Sequence, residues 1–211
     1  MAQEKAQNRC LYIVGAQGTG KTTLVDALEN EFLRREAEAK GTKPHIIREV
    51  ARTVLKEKQF SRDDITSSPS RAFQLQEYIL DAQFDAEQSA MTSDSLPMWY
   101  ISDRSGLDPI VYAQLFVGDE AAEKMLASEK WKVLEKRMKT AVVILCEAGC
   151  SWLADDGTRL MPDGIEQWMR IDVAFRALLS ARGIGFTVIT KDMISLEERV
   201  KLVQKQLEKL E

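Results

Sequence analysis

The stretch Cys10-Leu-Tyr-Ile-Val14, continuing into Gly15-Ala-Gln-Gly18-Thr-Gly20-Lys21-Thr22, decides the fold of this 211-residue chain. A short apolar run stops at a glycine, and the next eight residues match G-x-x-x-x-G-K-[ST] without a gap. Leu24, Leu28 and Phe32 then recur at helical spacing, so the loop joins a strand to an amphipathic helix. That is the context a phosphate-binding loop requires. Glycines let the backbone curl until successive N–H groups point inward, and the following helix adds its positive end. Gly15, Gln17, Gly18, Thr19, Gly20, Lys21, Thr22 and Thr23 are therefore the expected nucleotide-binding residues. Lys21 bridges the terminal phosphates in this reading, and the Thr22 hydroxyl ligates Mg²⁺.

Outward from the loop, apolar runs alternate with helical patterns, the signature of a parallel sheet wrapped by helices. Further strands are expected at His45–Arg48, Met98–Ser102, Ala141–Cys146 and Phe186–Thr190. Helices are expected over about Val50–Lys58, from Pro69 with Ser68 as N-cap, from Asp108, from Gly118 to about Lys139, over Ile165–Arg182, and from Ser195 to the C-terminus. The fold class is α/β with five strands, read as a single domain over residues 1–211. A loop rich in Asp and Gly, about residues 147–164, reads as a lid.

Acids at the carboxyl ends of parallel strands sit where open α/β sheets bind ligands. Asp103 ends the third run and is expected to meet Mg²⁺ or to accept a proton from an attacking hydroxyl. Glu49 ends the second run and competes for the role of general base, with Arg52 one turn further on. Arg104, beside Asp103, is expected to hold the substrate. In the lid, Arg159 is the expected cation for the transferring phosphoryl group, with Arg170 and Arg176 in reserve. Asp155 or Asp156 could hydrogen-bond substrate hydroxyls.

Composition narrows the classes. A formal net charge of -4 gives no broad basic field, so duplex nucleic acid is not an expected partner. No apolar run approaches the ~20 residues that span a bilayer, and the N-terminal residues lack an apolar signal region. A cytoplasmic protein is expected. The 3 cysteines, Cys10, Cys146 and Cys150, read as buried thiols rather than zinc ligands. His45 is the only histidine, too little for a histidine-based triad. Trp131 and Trp168 read as core residues, and the charged C-terminal helix as a solvated face. Thr190-Lys191-Asp192 falls one residue short of a guanine-reading motif.

Three segments resemble the ribosylnicotinamide kinase domain of NadR-type NAD-biosynthesis proteins and the wider group of NadR-like P-loop ATPases. They are the P-loop with its helix, Arg48-Glu-Val-Ala-Arg52, and Trp152-Leu-Ala-Asp-Asp-Gly-Thr-Arg159 followed by a helix and Gly183-Ile-Gly-Phe-Thr-Val-Ile189. The resemblance implies strand order 2-3-1-4-5 and ATP-dependent phosphoryl transfer to a nucleoside-like hydroxyl. It implies Asp103 and Glu49 near the acceptor and Arg159 in the lid. No nucleotidyltransferase segment precedes the kinase-like part, so a single activity is expected. Asp103-Arg104-Ser105 is similar to the D/E-R-S motif of deoxynucleoside kinases, and Tyr112-Ala113-Gln114 to thymidylate kinases.

The leading expectation is an ATP- and Mg²⁺-dependent kinase of a nucleoside-like small molecule, nicotinamide riboside among the candidates. A nucleotide-dependent switch for a lipid or protein partner, with ATP or GTP, shares the P-loop but needs no acceptor pocket. A polynucleotide 5′-hydroxyl kinase would use Arg104 and a local basic groove.

Overall fold

The computed structural model describes residues 10–38, 43–61, 64, 67–92, 99–151 and 164–209. Its strands are β1 (Leu11–Val14), β2 (His45–Ile47), β3 (Tyr100–Asp103), β4 (Val142–Cys146) and β5 (Thr187–Ile189). All neighbouring pairs are parallel, in the order β2-β3-β1-β4-β5. The helices are α1 (Lys21–Ala37), α2 (Val50–Glu57), α3 (Pro69–Thr92), α4 (Leu107–Phe116), α5 (Asp119–Leu126), α6 (Glu129–Thr140), α7 (Gly164–Ala181) and α8 (Leu196–Glu208). Among the described residues, no helix is long and apolar enough to cross a membrane.

Successive strand residues alternate between two buried faces. Leu11 and Ile13 of β1 join Ile101 and Ile144 against Leu24, Val25 and Leu28 of α1 and Val203 of α8. Tyr12 and Val14 join Tyr100, Val143 and Leu145 against helices α3 to α7. The chain therefore leaves β1 for one face of the sheet and leaves β3 for the other. Between those adjacent strands lies the crevice where an open α/β sheet takes its ligand. The register pairs Ile13 with Asp103, which puts that acid beside the start of the P-loop.

Two expectations change. The helix predicted from Gly118 to about Lys139 is two helices, broken at Ala127-Ser128. Ser128 turns extended and its hydroxyl accepts from the Trp131 N–H, an N-cap in the middle of the predicted span. The C-terminal helix is not a solvated face alone. Val203 and Leu207 of α8 are buried against the sheet, and the Arg199 side chain donates to the Met193 and Thr19 carbonyls.

Candidate active site

The P-loop owes its path to close backbone packing. Gly15 sits at φ 129°, and a Cβ there would lie 2.5 Å from the Cys146 carbonyl oxygen at the end of β4. Only glycine lets the loop turn at that spot. Gly20, at φ 81°, caps α1 with no side-chain hydrogen bond, and no acid stands in the first turn. The amide donors and the positive end of α1 are therefore left for an anion.

Inside the loop, Lys21 Nζ donates to the Ala16 carbonyl at 2.5 Å and to Thr19 Oγ1 at 3.4 Å. Burial, with the Arg104 charge adding to it, lowers its pKa to about 8. Thr22 Oγ1 donates to Asp103 Oδ2 at 2.6 Å. The other carboxylate oxygen, Asp103 Oδ1, is buried with no hydrogen-bond partner among the described residues. A hydroxyl and an unpartnered carboxylate oxygen side by side are the hard oxygen donors that suit Mg²⁺. The residues present thus fit that ion.

Next to Asp103, the chain makes an unusual turn. Arg104 has φ 84°, a conformation that costs a non-glycine residue of order 1–3 kcal/mol. Its N–H is held by the Ile13 carbonyl at 3.0 Å. The turn sends the guanidinium to Glu49, with Nε to Oε1 at 2.7 Å, and Nη1 to Asp108 Oδ1 at 3.3 Å. Arg52 Nε reaches Glu49 Oε2, also at 2.7 Å. Burial alone would raise the Glu49 carboxyl, but Arg104 and Arg52 overcome it and hold it at about 2. For Arg104, burial opposes the charge and the surrounding Glu49, Tyr112, Asp108 and Asp103 more than offset it. Asp108 accepts from the N–H and the hydroxyl of Ser105, both at 2.8 Å, which pins the Asp-Arg-Ser turn onto α4.

The structure brings Lys21, Thr22, Asp103, Arg104, Glu49 and Arg52 into one connected cluster around the crevice. Thr23 is exposed on the first turn of α1. Arg176 lies apart, bound to Asp172 and to Glu147 at 2.6 and 3.0 Å, and Arg170 is exposed on α7. Asp155, Asp156 and Arg159 lie outside the described residues, as does most of the expected lid. Two contacts were missed in the sequence. Trp168, read as core, is buried but also donates its indole N–H to the Gln17 carbonyl at 2.8 Å, so α7 braces the P-loop. Tyr112 of α4 donates its hydroxyl to Gln17 Oε1. The similarity of Tyr112-Ala113-Gln114 to thymidylate kinases was the only signal for the second, and nothing local announced the first.

A family model described as an AAA domain matches residues 10–199. No curated protein is detectably similar. Among solved structures, a deoxyadenosine kinase from M. mycoides with bound dATP is 16% identical, with a TM-score of 0.66 over 94% of this chain and 99% of that one. An NadR protein in complex with NR is 19% identical, with a TM-score of 0.66 over 95% of this chain. An NadR protein with NAD and AMP-PNP is 16% identical at a TM-score of 0.65, over 95% of this chain. The present chain covers 52% and 50% of those two NadR chains, about half their length. The shared property is the P-loop kinase-like fold.

Proposed function

The chain belongs to this AAA-domain family of P-loop proteins, and from that membership we propose an ATP- and Mg²⁺-dependent kinase acting on a hydroxyl of a nucleoside-like small molecule. The observation that carries the reading is the cluster at the β1/β3 crevice. Phosphate-binding residues and an acceptor-side cluster meet at Asp103, whose Oδ2 takes the Thr22 hydroxyl while Arg104, its neighbour, turns to Glu49. A switch needs the first half of that cluster only. Two structural relatives, a deoxyadenosine kinase and an NadR protein in complex with NR, agree with a nucleoside-like acceptor. Nicotinamide riboside is one candidate within that class.

In this reading residues 1–211 act as one domain. The P-loop amides and the Lys21 ammonium hold the triphosphate. Thr22 and Asp103 would hold Mg²⁺, which when bound neutralises charge on the phosphate oxygens. Glu49 keeps a lone pair on each oxygen beyond its two arginine bonds, and accepts the hydrogen bond of the acceptor hydroxyl. Arg104 and Arg52 fix that carboxylate in place. The acceptor oxygen forms its bond to the γ-phosphorus as the bond to the β-bridging oxygen breaks. ADP leaves, and the hydroxyl proton passes to Glu49 or on to water. A carboxylate held near 2 is a weak base. In a loose transition state, orienting the nucleophile matters more than base strength. Arg159 meets the charge of the transferring group, and Asp156 a substrate hydroxyl.

The test is coupled ADP release with ATP and Mg²⁺ against nucleosides, nicotinamide riboside among them, and nucleoside monophosphates. A panel member that raises turnover far above background hydrolysis supports the proposal and names the acceptor class. A flat panel with tight nucleotide binding rejects the kinase and favours the switch.

A further inference from the structure

Gln17 presents a donor that no described residue uses. The residue is 3% exposed and stands at the third position of the P-loop. Its carbonyl oxygen is taken by the Trp168 indole at 2.8 Å. Its side-chain Oε1 accepts the Tyr112 hydroxyl, yet its Nε2 is buried with no hydrogen-bond partner among the described residues. A buried amide N–H left unmatched is costly, so such a group marks a place where a partner binds.

The orientation of that amide follows from its surroundings. The Tyr112 hydroxyl reaches Gln17 Oε1, and burial raises its pKa against the nearby Arg104 charge, so the phenol keeps its proton to give. That hydrogen bond gives Oε1 to the tyrosine and turns Nε2 away from it. The Tyr112 ring is fixed in turn by stacking on Phe116, with centroids 5.9 Å apart and planes 11° apart. What lies beyond Nε2 follows from the lysine. A P-loop lysine reaches the terminal phosphates, and Lys21 Nζ rests on the carbonyl of Ala16, the residue before Gln17. This end of the loop is where the chain of a nucleotide's phosphates finishes. Arg104 and Tyr112 close it from the acceptor side.

We infer that the Gln17 side-chain amide is a γ-phosphate donor, held in aim by Tyr112, so that the site distinguishes nucleoside triphosphate from diphosphate. Gln17 is then a binding residue for the group that is transferred, and Tyr112 a positioning residue that acts through it. The inference rests on the nucleotide-binding part of the proposed function, but it requires neither turnover nor a known acceptor.

The experiment is calorimetric titration of the full chain with ADP and with AMP-PNP, each with Mg²⁺. Wild type should bind AMP-PNP more tightly than ADP. A hydrogen bond to a charged group is worth about tenfold or more in affinity, so Gln17→Leu should lose about that factor for AMP-PNP and stay within about twofold for ADP. Gln17→Glu has nearly the same shape, offers no donor and repels phosphate, so its loss should be larger for AMP-PNP and greater than its loss for ADP. Tyr112→Phe should show a smaller loss of the same pattern. Equal losses for both nucleotides would mean that Gln17 only shapes the loop, and unchanged affinities that its donor serves something else. Either result overturns the inference while leaving nucleotide binding intact. A wild type that binds neither nucleotide overturns the proposed function together with it.

Discussion

Lys21 is the residue at which charge and burial oppose each other most directly. It is 4% exposed, and its pKa is lowered to about 8 from an ordinary 10.5 by burial first and by Arg104 second. A phosphate-binding lysine must be charged, so nucleotide affinity should be level below about pH 7 and fall about tenfold per pH unit above about 8. The stability of the nucleotide-free protein should move the other way. Between about 8 and 10.5 the unfolded chain binds the lysine proton and the folded chain does not, so this group's contribution to stability rises with pH across that window. Titrations with ADP from pH 6 to 9.5, run beside thermal unfolding without nucleotide, check both signs. In Lys21→Met both trends should vanish, and an unchanged slope in that variant would assign them to other groups. Glu49 adds nothing in this range, because its carboxyl is held at about 2 and stays ionised throughout. Much of this residue-level picture is legible in sequence: Lys21 and Thr22 stand in the P-loop motif, and Asp103 and Glu49 at strand ends. The φ of 84° at Arg104 is not, since nothing in Asp103-Arg104-Ser105 says that the backbone turns left-handed there.

Strands and most helices were readable as elements because each is a run of apolar residues with its own period and its own stop. The edges moved by a residue or two, as β3 shows by keeping Asp103 as its last member. The span from Gly118 to Lys139 failed for a specific reason. Its apolar spacing continues across Ala127-Ser128, so periodicity alone joins what the chain divides. The dividing signal is capping chemistry. Ser128 Oγ accepts from Trp131 N–H at 3.2 Å, while Ala127 closes the preceding helix through its N–H to Glu123 O at 2.9 Å. The break lets α6 swing Trp131, Leu134 and Met138 into the core while α5 buries Ala122 and Met125. Ser128→Ala removes the cap acceptor and should cost about 1 kcal/mol. Urea unfolding should report that loss as a lower midpoint at unchanged slope, with ADP affinity untouched because the cap lies away from the P-loop. A variant as stable as wild type would show that helix packing, not the cap, sets the break.

At the scale of the whole molecule, a buried carboxyl ties the sheet to the helices on one of its faces. Glu87 of α3 is 0% exposed. Its Oε2 accepts the hydroxyls of Tyr12 from β1 and Tyr100 from β3, each at 2.8 Å, and lies 3.5 Å from Arg137 of α6. Gln83 donates to Glu87 Oε1 at 2.9 Å and to Ser102 Oγ at 3.0 Å, one residue before Asp103. Nothing in the sequence around it singles Glu87 out. Only the pairing of two tyrosines on adjacent strands shows why a carboxyl belongs under them, and that pairing is tertiary. Burial raises its pKa against the hydrogen bonds of Gln83, Tyr100 and Tyr12 and the charge of Arg137, while the nearby Cys10 thiol is itself pushed up to about 11 by burial. A carboxyl raised in the fold contributes stability that is present below its ordinary value of 4.5 and is lost as pH rises through the higher folded value. Glu87→Gln does not titrate, and it keeps an acceptor for the tyrosines. Its new amide N–H₂ can meet the Gln83 Oε1 that now has no partner, if Gln83 turns its amide over. The variant should therefore be at its greatest disadvantage near pH 4.5 and gain on wild type steadily toward pH 7.5, measured as the difference between their urea midpoints. A gap that stays constant over that range would mean that Glu87 titrates alike in folded and unfolded chains, and that the anchor does not depend on a raised carboxyl.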